Sequence, residues 1–321
     1  MPPTTAYAVP TDLLEKLRAA RAADPGAESR RIADLGLRPL TGGRNNDVYA
    51  WQTPTGPACI KVYKVDERRR DEREWHALTL LAEHAVPGVP APLWADPHPT
   101  SPAIGMTLLP GVSIPDLPTP EDGLDGLADT WTRIAQVPLT GRLAQFTRVD
   151  SVAHYVERIS DIWTKQLGEQ PSGDALTRDL SRLLDRWWAD EDAAVLAQPQ
   201  PPVLSRGDAN LLNWLHDAAS HATACVDWEF SGASDPAFDA ADLVEHISGR
   251  LFDDETWSKV ITKLGAVTRQ NAHRFYAAQR TCALRWLAVL WKQRTVRAEE
   301  FQVQLDRVRR LQDCDIALAN W

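Results

Sequence analysis

Between residues 11 and 31 the chain is Ala-rich, with charged and apolar positions at helical spacing and one break at Asp24-Pro25-Gly26. This predicts a helical stretch interrupted by a turn. From residue 37 the period shortens. Segments 37–40, 47–53 and 58–63 read as strands, and Pro54-Thr55-Gly56-Pro57 joins the last two as an antiparallel hairpin. Residues 66–84 return to helical spacing, with Trp75, Leu78 and Leu81 on one face, and stop before Pro87-Gly88. Two further strands, 91–96 and 103–108, complete a small β-rich unit that ends at Leu109-Pro110-Gly111.

The remainder is mainly helical, over 120–136, 151–166, 175–196, 237–248, 254–264, 271–295 and 298–318. One non-helical island, 203–235, interrupts it. The island holds two strand-like runs, 211–215 and 222–226, around a polar turn, and the apolar residues of both runs are expected to anchor their polar neighbours against the core. A small antiparallel sheet with one helix, followed by a large helical unit, is an α+β arrangement. The pattern divides the chain into 1–111, with a helical extension at 11–31, and 112–321.

The densest polar cluster lies in that island: Ser205-Arg206-Gly207-Asp208-Ala209-Asn210-Leu211-Leu212-Asn213, followed by Asp227-Trp228-Glu229-Phe230. Asp208 and Asn213 have the Asp-x-x-x-x-Asn spacing of a kinase catalytic loop. Phosphoryl transfer needs a carboxylate to hold and deprotonate a hydroxyl, and oxygen ligands for magnesium. The same spacing also suits turn formers and helix caps. Lys61 sits in the apolar run Cys59-Ile60-Lys61-Val62-Tyr63, either on the solvent face of a half-buried strand or directed at phosphates. Glu74 on the following helix is a candidate to pair with it, with Glu72 as a rival. Gly42-Gly43 would let backbone pass close to a phosphate, or simply form a turn.

Composition narrows the partners. The formal charge of −9 argues against a general nucleic-acid binder and would suit a cationic substrate. No apolar run approaches the roughly 20 residues that span a bilayer, and Met1-Pro2-Pro3-Thr4-Thr5 opens without an apolar signal region, so a cytoplasmic protein is expected. Cys59, Cys225, Cys282 and Cys314 are too scattered for a zinc site or a disulfide framework. The 13 tryptophans read as core packing and the 8 histidines show no metal-ligand spacing.

Strand lysine, helix glutamate, Leu109-Pro110-Gly111, Gly207-Asp208 with Asn213, and Asp227-Trp228-Glu229 occur in that order. Together with the run from Asp227 to Asp239, they make the chain resemble the aminoglycoside phosphotransferase and choline kinase family, over roughly residues 37–248. The resemblance implies a protein-kinase-like two-lobe fold, with residues 1–111 as the nucleotide-binding lobe and 112–321 as the catalytic and substrate-binding lobe. It implies ATP, with GTP as the alternative nucleotide, together with Mg2+, and a small-molecule hydroxyl compound as acceptor: an aminoglycoside or other antibiotic, an amino alcohol or a sugar. Gly42, Gly43 and Lys61 would contact phosphates, Glu74 would hold Lys61, and Met106, Leu108 and Leu109 would face the adenine edge. Asp208 would be the base, Asn213 and Asp227 the magnesium ligands, and Asp239 a brace for the loop. Arg206 stands where the family usually has histidine. That departure favours the alternative of a nucleotide-binding regulator without phosphoryl transfer.

Overall fold

The computed structural model describes residues 7–22, 25–40, 46–170 and 174–313. Gly42, Gly43 and Cys314 lie outside the described residues. Two helices, α1 (Thr11–Arg21) and α2 (Pro25–Asp34), precede strands β1 (Leu37–Pro39), β2 (Asp47–Thr53) and β3 (Gly56–Val62). Helix α3 (Arg70–Glu83) and strands β4 (Pro92–Asp96) and β5 (Ala103–Thr107) follow. The five strands form one antiparallel sheet in the order β1-β2-β3-β5-β4.

Side chains alternate across a strand, and β3 shows what that does here. Ile60 and Val62 pack with Leu14 and Leu17 of α1 and Ile32 of α2, while Cys59 and Tyr63 turn to the other face, against Leu78 and Leu81 of α3. The helical extension therefore covers the outer face of the sheet, and β3 is buried on both sides. Lys61, on the α3 face, is only 6% exposed, so it is not on the solvent face of a half-buried strand. The helix predicted from residue 66 begins at Arg70, because Arg69 adopts a left-handed conformation (φ 53°) just ahead of it.

Past β5 the chain turns at Gly111 (φ +121°), where an added Cβ would lie 2.9 Å from the His216 carbonyl. Strand β6 (Val112–Ser113) then pairs with β8 (Trp214–Asp217), which pairs with β9 (Ala222–Cys225); β7 (Val203–Ser205) pairs with β10 (Gly232–Ser234). The helices are α4 (Leu124–Ala135), α5 (Val152–Glu157), α6 (Thr164–Gly168), α7 (Ala175–Ala189), α8 (Asp192–Ala197), α9 (Pro236–Glu245), α10 (Asp254–Leu264), α11 (Ala272–Trp291) and α12 (Ala298–Asp313). A π-helical turn, Arg158–Trp163, joins α5 to α6. Glu191 at φ 59° splits the single helix predicted over 175–196. The fold is mixed α and β, a small antiparallel sheet followed by a mostly helical body, as the resemblance implied. None of the described helices is long and apolar enough to cross a membrane.

The strand predicted over 211–215 starts late, as β8 at Trp214. Leu211–Asn213 forms a 3-10 turn instead, with Leu211 fully buried and Leu212 49% exposed. Asn210 dictates this: its side chain accepts from the Leu212 N–H, which closes a turn and lifts the Leu212 side chain off the core. Leu212 therefore does not anchor the polar cluster as its apolar character suggested; Leu211 does.

Candidate active site

Lys61 Nζ lies 2.5 Å from Asp227 Oδ1, 2.6 Å from Glu74 Oε2 and 2.9 Å from Glu229 Oε2. A buried ammonium is tolerable only when paired. Here burial pushes the lysine pKa down, but Asp227, Glu74 and Glu229 outweigh it and hold it well above 10.5. Glu74 also accepts from the Tyr63 hydroxyl at 2.6 Å and from the Trp228 N–H at 3.1 Å, so one carboxylate ties β3 and α3 to the segment after β9. Its carboxyl is raised, because burial and the neighbouring acids outweigh Lys61. Glu72 points elsewhere, to Arg69 and Arg142. Arg73 strengthens the same junction, donating to the carbonyls of Thr147 and Ser231, both at 2.7 Å.

Asp227 is at φ 67°, a conformation that Asp tolerates better than most residues. Burial would raise its carboxyl, but Lys61 brings it below its ordinary value. The Asn213 amide nitrogen donates to Asp208 Oδ2 at 2.8 Å and to Asp227 Oδ2 at 3.5 Å, so the amide bridges the two aspartates. The second oxygen of Asp208 accepts from the Asn210 N–H at 2.9 Å. Gly207, at φ +79°, allows this loop to form: a Cβ there would lie 2.0 Å from the Phe230 carbonyl oxygen.

Arg206 is built into the loop. Its guanidinium donates to the carbonyls of Val226 (3.5 Å) and Asn210 (3.3 Å), covers the Trp214 ring at 5.8 Å and stays 3.8 Å from Asp208 Oδ2. A void of about 50 Å³ adjoins it, bordered by Trp131, Trp214 and Trp228.

Carboxylate oxygens of Glu74, Asp227 and Glu229 lie within 4.8 Å of one another. Asp227, Glu229 and the Asn213 side-chain oxygen, once that amide is turned by half a revolution, are hard oxygen donors of the kind magnesium takes. The donor chemistry therefore fits a divalent cation. Among the residues expected at the adenine edge, Met106 lies in the β3–β5 ladder and the Leu108 N–H already donates to the Pro57 carbonyl. Leu109 follows outside the ladder.

Several site residues carried no assignment in the sequence reading. Glu229 bonds Lys61 and Asn46, and lies 3.6 Å from Arg70. Its place two residues after Asp227, in the polar run Asp227-Trp228-Glu229, was the available signal. Arg148 pairs with Asp239 and Asp242, each at 2.6 Å, and donates to the Gly207 carbonyl at 3.3 Å, so Asp239 reaches the loop through an arginine. Two aspartates one turn apart on a helix that is apolar up to Glu245 pointed to such a buried cation. His246 packs against Trp286 and bonds Ser248, whose hydroxyl accepts from the Leu211 N–H at 2.9 Å. No spacing in the sequence marked that contact.

No curated protein matches the chain significantly. Among solved structures, spectinomycin phosphotransferase APH(9)-Ia in complex with ADP and spectinomycin is 12% identical, with a TM-score of 0.58 over 85% of this chain and 88% of that one. The aminoglycoside phosphotransferase of Alicyclobacillus acidocaldarius is 14% identical, with a TM-score of 0.58 over 96% and 97%. APH(3'')-Id of Streptomyces rimosus is 19% identical, with a TM-score of 0.51 over 85% and 97%. At these identities the likeness shows a shared protein-kinase-like fold. The sequence profile of the phosphotransferase enzyme family matches residues 36–276, most of the chain, and the protein is therefore a member of the phosphotransferase enzyme family.

Proposed function

We propose that this protein is an ATP- and magnesium-dependent small-molecule kinase that transfers the γ-phosphoryl group to a hydroxyl of its substrate. The observation that carries the reading is the Asn213 amide set between Asp208 and Asp227, with Lys61 on the far side of Asp227. A base, a cation-binding carboxylate and a phosphate-binding ammonium are then contiguous.

In this reading residues 1–111 form the nucleotide lobe and 112–321 the catalytic and acceptor lobe. Lys61, held by Glu74, receives phosphate oxygens, and Gly42-Gly43 are assigned to the same phosphates from their sequence. Backbone groups at Met106, Leu108 and Leu109 face the base. Asn213 and Asp227 hold magnesium, with Glu229 beside them; the ion would neutralise the charge of the transferring phosphate. Asp208, anchored by the Asn210 N–H, takes the acceptor hydroxyl proton as the new O–P bond forms and the bond to the β-phosphate oxygen breaks, releasing ADP. The regulator alternative rested on Arg206, yet Asp208 keeps two hydrogen bonds beside it. Magnesium-dependent release of ADP across a panel of hydroxyl compounds tests the proposal. A protein that binds ATP with magnesium but phosphorylates nothing in a broad panel would be the regulator instead.

A further inference from the structure

Helix α5, the π-helical turn that follows it, helix α8 and the segment ahead of β7 line an open cavity of about 600 Å³. That is the size of a small-molecule site, about 300–1,000 Å³. None of Lys61, Asp208, Asn213, Asp227 and Glu229 borders it. Pro202 in its wall comes just before β7, whereas Asp208 comes three residues after that strand ends, so the cavity lies at the far end of β7 from the proposed base. Ser234, also in the wall, donates to Asp239 at 2.7 Å, and Asp239 reaches the Gly207 carbonyl through Arg148. The cavity therefore adjoins the brace of the catalytic loop and not the loop itself.

Most of the wall is apolar, with Val152, Val156, Leu196 and Pro199 contributing to it. Its charged groups are of two kinds. Arg274 and Asp235 are buried, pair at 2.9 Å and are already committed: Arg274 also donates to the Val195 and Leu196 carbonyls at the end of α8 (2.6 and 3.1 Å), and Asp235 accepts from the Phe238 N–H at 2.8 Å. Glu157 and Asp161 are exposed and one helical turn apart, and among the described residues no cation pairs with either. Like charges at that spacing repel, yet both border the cavity. Asp161 sits within the π-helical turn Arg158–Trp163, a geometry that recurs at functional sites.

We propose that this cavity binds a small organic cation, an amine with an apolar body, at a place separate from phosphoryl transfer. The apolar wall takes the body, and Glu157 and Asp161 take the ammonium, which removes their mutual repulsion. Arg274, the one base in the wall, is held by Asp235, so an anion would meet two carboxylates and no free cation. The formal charge of −9 acts in the same direction. The site does not depend on the kinase reading.

Three indoles that differ mainly in charge test it, titrated by NMR against the full chain without nucleotide: tryptamine, a cation at neutral pH, the neutral indole-3-acetamide and the anion indole-3-acetate. Tryptamine should bind at least roughly threefold tighter than the amide, and the acetate most weakly. Glu157→Gln combined with Asp161→Asn should weaken tryptamine by roughly 3–10-fold, the worth of two exposed ion pairs, and leave the amide unchanged. Ala153→Trp, at an exposed position of the α5 wall where the fold tolerates bulk, should fill the cavity and weaken tryptamine and the amide together. Tryptamine binding undiminished by Ala153→Trp would put the cation elsewhere, the acceptor pocket included, and overturn the proposal. Equal or tighter binding of the acetate, or a double variant that keeps the parent's charge preference, would overturn it as well. Binding of tryptamine in the expected pattern by a protein that phosphorylates nothing would leave the cavity site standing and remove the kinase reading alone.

Discussion

Lys61 is closer to Asp227 (2.5 Å) than to Glu74 (2.6 Å) or Glu229 (2.9 Å). The residue proposed to hold phosphate is thus bonded to the residue proposed to hold magnesium. On loading, the lysine charge would pass to the phosphates and the aspartate charge to the ion, while Glu74 keeps the lysine in place. In that proposal the pair would be a preformed version of the loaded site, with each charge holding the position of one that would arrive with Mg·ATP.

Asp227→Asn follows from that pairing. Asn tolerates the positive φ of residue 227, whereas Ala would add backbone strain of about 1–2 kcal/mol. Lys61 keeps Glu74 and Glu229, so the fold should survive. Loss of the metal carboxylate should lower magnesium-dependent turnover by about 10²-fold or more, the rate equivalent of several kcal/mol. Unchanged affinity for Mg·ATP by calorimetry together with unchanged turnover would remove Asp227 from the metal site.

Lys61→Met tests the same cluster through stability. It leaves three carboxylates around a site that has lost its central cation, and breaking a buried pair costs about 3–5 kcal/mol. Glu74 already has a raised pKa, from burial and its acidic neighbours. Without Lys61 it would rise further above its unfolded value, so protonation would favour the folded state. The variant's deficit should be greatest at neutral pH and shrink as pH falls toward 5, as read by urea unfolding at several pH values. Turnover by Glu74→Gln with Lys61→Met should be little worse than by Lys61→Met alone if the two residues act as a unit. Additive losses in kcat/KM would separate them.

Arg206→His places the usual family residue in this loop. The guanidinium joins the Val226 and Asn210 carbonyls and borders the 50 Å³ void. A shorter imidazole would leave one or both carbonyls unmatched and enlarge that void. Stability should fall by about 1–3 kcal/mol, and kcat by less than tenfold, since Asp208 keeps its bonds to Asn210 and Asn213. A kcat loss as large as that of an Asp208 variant would make Arg206 part of the chemistry.

These residues show how much the sequence could reveal. Strand and helix periods located the sheet, α3 and the catalytic island, and the ordered motifs led to the fold. Lys61 looked mildly anomalous in an apolar strand because the cover on its outer face comes from α1 and α2, a tertiary fact invisible to local periodicity. Leu212 read as strand because both neighbours of Asn213 are apolar, yet an Asn210 side-chain bond made a turn. Arg148 and His246 reach the loop across long sequence separations, and neither hydropathy nor spacing encodes that approach.

His246 offers a pH reading. Burial holds its pKa below 6.5, against the pull of Asp208 and Asp242. Nδ1 lies 2.6 Å from Ser248 Oγ and 3.1 Å from the Ser248 N–H, which it accepts, so protonation at Nδ1 would break the cap. Because the folded value lies below the unfolded one, this part of stability is complete above pH 6.5 and is lost as pH falls through the folded value. NMR should show His246 titrating below the exposed histidines, and His246→Gln should flatten the acid limb of the stability curve. A titration at or above 6.5 would contradict the buried, neutral state.

Asp208→Asn decides between kinase and regulator. Both Asp208 oxygens accept hydrogen bonds, from the Asn210 N–H and from the Asn213 amide. An asparagine offers one acceptor oxygen, so its NH2 would face another donor, and the loop would shift slightly as well as losing its base. Asp208→Ala removes the clash along with the carboxylate. If proton acceptance is what matters, both variants should bind Mg·ATP as tightly as the parent and lose about 10²–10⁴-fold in transfer, or about 3–5 kcal/mol. If loop geometry is what matters, the alanine variant should be the more active of the two. A regulator would tolerate both substitutions while remaining sensitive at Lys61, because it needs the nucleotide and not a base. Wild-type transfer by Asp208→Ala on a confirmed acceptor would falsify the assignment of Asp208 and, with it, the route by which the hydroxyl proton leaves.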